Sequence, residues 1–175
     1  AYKNVFQSLC DLTLFHYHQN LYKNKSLTRI RSMKTYGIEP ITSGQVMALD
    51  ALNDSVKNTP LAAIKGPAGT GKTLLAIAAG LNAVNNGDFR RVLYLRANTV
   101  LDDEIGFLPG TEEEKLEWPI RPVKDNLEVL LENLYKGMKY TEISKKIEDL
   151  FEKGIIKVES VGFMRGRSLN NMFII

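Results

Sequence analysis

The chain has 175 residues, 44% of them hydrophobic and 25% charged, the balance of a globular protein with a sizeable core. A net charge of +3 is too small a surplus to imply nucleic acid by itself, and one cysteine, Cys10, excludes an intrachain disulfide and a cysteine-rich zinc site. The longest apolar stretch, residues 74–79, is far too short to span a bilayer, and no secretory signal opens the chain, so a cytoplasmic protein with no membrane partner is expected.

Residues 1–35 form an N-terminal segment of irregular texture, rich in aromatics such as Phe6, Phe15 and Tyr17. Val5, Leu9 and Leu12 can share one helical stripe. His16 and His18 share a face only on an extended strand and have no third ligand in view, so no metal site is expected there. The basic run Lys23, Lys25, Arg29, Arg31 and Lys34 reads as a solvated linker. RNA contact is the sharper alternative, because Tyr22 and Tyr36 can stack bases beside those charges. Pro40 breaks the chain, and Thr42 or Ser43 can cap a helix reaching about Lys57, with Val46, Leu49 and Leu52 inward.

From residue 61 onward, short apolar runs alternate with helical ones. A strand is expected over 61–65, then a glycine-rich loop and a helix to about Val84, stopped by Asn85-Asn86-Gly87. Residues 91–96 read as the next strand, followed by a loop to Gly110 and helical segments near 112–118 and 120–136. Thr141 is the expected cap of a helix to about Lys153 that Gly154 closes, and residues 155–159 and 172–175 read as strands. This alternation predicts an α/β fold, a parallel sheet flanked by helices on both faces, with ligands off the carboxyl ends of its strands.

That end carries the most specific motif of the chain. Gly66, Pro67, Ala68, Gly69, Thr70, Gly71, Lys72 and Thr73 read G-x-x-x-x-G-K-T, the Walker A pattern, between a strand-like run and a helix start. Such a loop aims several backbone N–H groups at one point, and the helix dipole adds positive potential there. The motif implies a cradle for ATP phosphates, with Lys72 neutralising β/γ oxygens and the Thr73 hydroxyl on Mg²⁺. Gly66, Gly69 and Gly71 supply backbone angles and close approach that a Cβ blocks.

Four further stretches resemble the PhoH-like P-loop ATPases, especially those fused behind a PIN nuclease domain. They are Tyr36-Gly37-Ile38-Glu39-Pro40 with Gln45 and Ala48-Leu49-Asp50; Gly106-Phe107-Leu108-Pro109-Gly110-Thr111-Glu112-Glu113-Glu114-Lys115; Pro122 with Asp125-Asn126-Leu127-Glu128; and Met164-Arg165-Gly166-Arg167-Ser168-Leu169. The resemblance covers residues 36–175, which form the expected nucleotide-binding domain; residues 1–35 lie outside it, and no PIN domain is expected in the chain. It implies a RecA-like, helicase-related P-loop NTPase fold and ATP hydrolysis coupled to RNA handling. Gln45 stands at the place of the family's adenine-reading glutamine, a role that suits an amide able to donate and accept at once. Arg96, Asn98 and Thr99 stand where the family's loop lies on the nucleic-acid side. Arg165 and Arg167, flanking a permissive glycine, suit a loop that grips phosphate oxygens, whether of single-stranded RNA, of nucleotide or of a neighbouring subunit in a homo-oligomer.

Three departures temper the resemblance. The family's Walker B acids follow the strand that Phe173-Ile174-Ile175 opens, and the chain ends before them. The downstream glutamine and arginine motifs are absent likewise, and Arg96-Ala97 stands where Arg-Pro is usual. Glu112, Glu113 and Glu114 read as a helix first turn, and Asp102, Asp103 and Glu104 as solvated loop, so neither replaces the missing acid. Trp118 reads as packing. The expectation is therefore an ATP-binding domain with Lys72 and Thr73 as its catalytic residues, turning ATP over poorly as it stands. The alternative is a nucleotide-gated RNA- or subunit-binding module without catalysis, and a small-molecule kinase is a distant third.

Overall fold

The computed structural model describes residues 34–96 and 120–175. The expectations for the 5–12 stripe, the histidine pair, the basic run up to Arg31, Asn98, Thr99, the two acidic clusters, the 106–115 motif and Trp118 lie outside the described residues. In chain order the elements are α1 (Ser43–Leu52), α2 (Lys72–Asn85), β1 (Arg91–Arg96), α3 (Arg121–Leu134), α4 (Tyr140–Glu152), β2 (Ile156–Ser160), a 3₁₀ turn (Val161–Met164) and β3 (Met172–Ile174). The fold is α/β, with a parallel three-stranded sheet in the order β2-β1-β3.

Periodicity explains the helices. In α3 the buried side chains are Val123, Leu127, Leu130 and Leu131, one stripe of a 3.6-residue repeat, with Pro122 in the first turn where its missing N–H costs nothing. In α4 Ile143 and Ile147 repeat the spacing. They join Ile77, Ala78 and Leu81 of α2 and Val92 and Ile156 of the sheet in one core. Val92 and Ile156 are partners in register, so both project to the same face, and among the described residues the helices that pack on the sheet do so there. Full burial of each such leucine or isoleucine is worth about 2 kcal/mol.

Gly80, in the middle of α2, lets that helix approach the sheet closely. A Cβ built there would meet Val92 Cγ2 and Phe173 Cδ1 at 3.0 Å each. Phe173 also makes an edge contact with Phe89, ring centroids 5.6 Å apart.

Three expectations change. Residues 61–65 are chain without a ladder: Leu61, Ala63 and Lys65 are exposed and Ala62 and Ile64 half-buried. An apolar run confers strand character, but a ladder forms only where the chain lies in hydrogen-bonding register along a sheet edge, and residues 61–65 form none with the open outer edge of β2 or of β3. Helix α1 ends at Leu52, short of Lys57. Asp54 draws the following chain into a local turn instead, accepting from the Ser55 N–H at 2.8 Å, Asn58 at 3.2 Å and the Thr59 hydroxyl at 2.9 Å. Helix α4 starts one residue before Thr141, which therefore lies inside its first turn; the cap is Lys139, whose carbonyl takes the N–H groups of Glu142 and Ile143.

Ahead of α1 a tight turn docks on the end of α3. Thr35 and Ile38 exchange both backbone hydrogen bonds at 3.0 Å, with Tyr36 (φ +47°) and Gly37 (φ +81°) at the corner. The exposed Lys34–Glu39 pair, 2.6 Å apart, closes its base; their shared hydrogen bond holds the ammonium above and the carboxyl below their ordinary pKa. Tyr36 and Ile38 pack against the core, which leaves Tyr36 only partly exposed. Asn53 Nδ2 donates to the buried Thr35 hydroxyl at 3.1 Å, and Asn82 Nδ2 donates to Asn53 Oδ1 at 3.2 Å, tying turn, α1 and α2 together.

Candidate nucleotide site

The site begins at the N-terminus of α2. Gly71, at φ +83°, caps this helix in the left-handed conformation, and Gly69, at φ +76°, makes the preceding bend. Side chains other than glycine adopt such angles at a cost of about 1 kcal/mol or more. Gly66 differs: its φ is ordinary and a Cβ there would make only normal contacts, 3.5 Å from Thr70 Oγ1, so the chain's own geometry does not demand glycine at that position.

Among the described residues, no acceptor takes the backbone N–H groups of residues 68–73. Helix starts leave such donors unpaired, and here the bend at Gly69 and Gly71 adds those of the loop to those of the first helical turn. Lys72 bends back over the same loop, donating from Nζ to the Pro67 carbonyl at 2.5 Å and to Thr70 Oγ1 at 3.4 Å, while the Thr70 hydroxyl donates to that carbonyl at 3.0 Å. An ammonium thus stands among unpaired amides. Such a donor set matches a polyphosphate tail, which offers only acceptors and negative charge. Thr73, half-buried in the first turn of α2, is the loop's second hydroxyl. No group of three or more metal-ligating side chains occurs among the described residues.

Gln45 is more constrained than a free base reader. With Thr42 it completes a capping box at the start of α1: its N–H donates to Thr42 Oγ1 at 3.2 Å, and its Oε1 accepts from the N–H groups of Thr42 at 3.3 Å and Ile41 at 2.7 Å. Its Nε2 donates to the Thr70 carbonyl at 3.3 Å. Both lone pairs of the amide oxygen are therefore engaged, and one N–H of Nε2 is left to donate. Gln45 thereby links α1 to the phosphate loop.

Arg96, half-buried, ends β1, and its register partner Ser160 ends β2, where the 3₁₀ turn begins. The connection 86–90 is short, so the C-terminal end of α2 lies by the start of β1 and its N-terminus by the other end. Lengths agree: Gly80 touches Val92, about 12 Å of helix runs back from Gly80 to Lys72, and about 13 Å of strand leads from Val92 to Arg96. Phosphate loop, Arg96 and the loop after β2 thus share the carboxyl edge of the sheet. Arg165 and Arg167 are both exposed on that loop, but differ. Arg167 is forked onto Glu159, its Nη1 bonded to Oε2 and its Nη2 3.4 Å from Oε1, whereas Arg165 has no partner among the described residues. Neither Glu159 as a partner nor Thr70 as the contact of Gln45 was visible in sequence spacing.

Residues 37–175 match the profile of the family described as PhoH-like protein. The chain is 38% identical over 141 residues to Protein PhoH2 of Bacillus subtilis (strain 168), covering 80% of this chain and 30% of that protein. It is 36% identical over 138 residues to a PhoH-like protein of Mycobacterium leprae, covering 79% and 35%. With a second Bacillus subtilis protein, also named PhoH-like, it shares 30% over 159 residues, covering 91% and 44%. The chain spans less than half the length of these relatives.

Proposed function

The chain belongs to the PhoH-like protein family, and from that premise we propose that it is an ATP-binding domain whose nucleotide cycle serves RNA handling. One observation carries the nucleotide half: unpaired amides of residues 68–73 and the Lys72 ammonium stand together at the start of α2. In hydrolysis, water attacks the γ-phosphorus, the bond to the β–γ bridging oxygen breaks, and ADP and phosphate leave. The negative charge that builds on those oxygens is what the loop amides and Lys72 stabilise. Thr73 would hold Mg²⁺ through its hydroxyl, and that ion would supply further charge neutralisation. Gln45 orients the adenine edge from α1 while holding Thr70. Among the described residues, no helix is long and apolar enough to cross a membrane.

Calorimetry with Mg·ATP tests the reading. Binding heat that disappears in Lys72→Ala supports it; no heat, or unchanged heat in the variant, refutes it. A nucleotide-gated binding module without catalysis is separated by phosphate release from the natural full-length protein with and without single-stranded RNA. RNA-stimulated turnover supports the ATPase, and a nucleotide-dependent change in RNA affinity with no turnover supports the module.

A further inference from the structure

We propose that Phe163 is a base-stacking platform for single-stranded nucleic acid, with Arg165 as its phosphate contact; this rests on the RNA-handling reading above. Phe163 is 76% exposed and its neighbour Val161 50%, on the 3₁₀ turn that follows β2. A phenylalanine buried to this small extent contributes little to the core that the described residues form. Its setting is cationic. Arg165 follows two residues later, exposed and without a partner among the described residues, and Arg96 ends the adjacent strand in register with Ser160. Single strands are gripped by this combination, an aromatic face for a base and guanidinium groups for the flanking phosphates.

The loop is also held in place. The Arg167–Glu159 fork fastens its far side to β2, and Gly166 at φ +72° turns the chain between the two arginines, so one is committed to the protein and the other left outward. Arg167 is thus a positioning residue, and Arg165 the one available to a ligand. A protein partner is the competing occupant, and the base dependence of binding tells the two apart.

The experiment measures anisotropy of a fluorescein-labelled uridine 12-mer, and of an abasic ribose-phosphate strand of equal length, with the full chain. Phe163→Ala is expected to weaken the uridine strand about 10-fold while leaving the abasic strand unchanged. Phe163→Trp is expected to retain affinity and gain a fluorescence quench on binding beyond that of the parent. Arg165→Ala is expected to weaken both strands and lower the slope of log affinity against log salt by about 1. Unaltered Mg·ATP binding in each variant shows that the fold is intact. If the parent binds RNA and Phe163→Ala binds it equally, or weakens both strands alike, the stacking assignment is overturned while the RNA-handling reading stands. If the parent binds neither strand, both fall.

Discussion

Gly37 and Gly87 have the same backbone torsion, φ +81°, but different surroundings. A Cβ on Gly37 would stand 3.0 Å from the Leu134 backbone nitrogen, 3.1 Å from its Cα and 3.2 Å from its Cβ, whereas a Cβ on Gly87 would meet nothing within 4 Å. Alanine at either site bears the left-handed penalty, about 1–2 kcal/mol, partly offset by about 0.4–1 kcal/mol from a stiffer unfolded chain. Gly87→Ala should therefore cost about 1 kcal/mol. Gly37→Ala adds overpacking against backbone at the end of α3, which cannot rotate aside as a side chain does, at about 1–3 kcal/mol, for a total near about 2–4 kcal/mol. Urea unfolding reads both. With a slope of about 2 kcal/mol per molar, Gly87→Ala should lower the midpoint by about 0.5 M and Gly37→Ala by about 1–2 M. Equal midpoints for the two variants would show that the turn does not bear on α3 as described.

Other perturbations probe the core, the turn and the loop. Gly80→Ala gains about 1 kcal/mol of helix propensity but presses a methyl on Val92 and Phe173, and should be net destabilising by about 1 kcal/mol; a raised urea midpoint would mean that Phe173 yields freely. Burial, with Tyr135 adding to it, holds the Tyr36 phenol above its ordinary pKa, so its contribution is complete below the usual tyrosine value and lost as pH rises past it. Tyr36→Phe should accordingly lose less stability than the parent between about pH 8 and pH 10.5, and parallel losses would contradict this. Gln45→Ala removes one arm of the capping box, at about 0.5–2 kcal/mol of stability, and the hold on Thr70. Calorimetry should then show weaker binding of both Mg·ATP and Mg·tripolyphosphate; a loss confined to ATP would make Gln45 a base reader alone.

Much of this protein is written in local patterns. The loop at 66–73, helix α2 with its stop at Gly87, strand β1 and the stripes of α3 and α4 follow from glycine placement and from apolar spacing of 3.6 or 2 residues, because those signals act on torsions of the residues that carry them. Other features depend on partners remote in sequence. Residues 61–65 have the composition of a strand but are not laid in register along either outer edge of the β2-β1-β3 sheet. Gln45 meets Thr70 only because α1 is laid beside α2. Two similar arginines part ways because Glu159 stands within reach of one of them. The sequence by itself determined most of the segments that coil, extend and bend, and that a glycine-rich loop opens α2. Tertiary structure alone decided which side chains are spent on the protein and which, like Phe163 and Arg165, face outward, since exposure and pairing are properties of neighbours that no local run of residues contains.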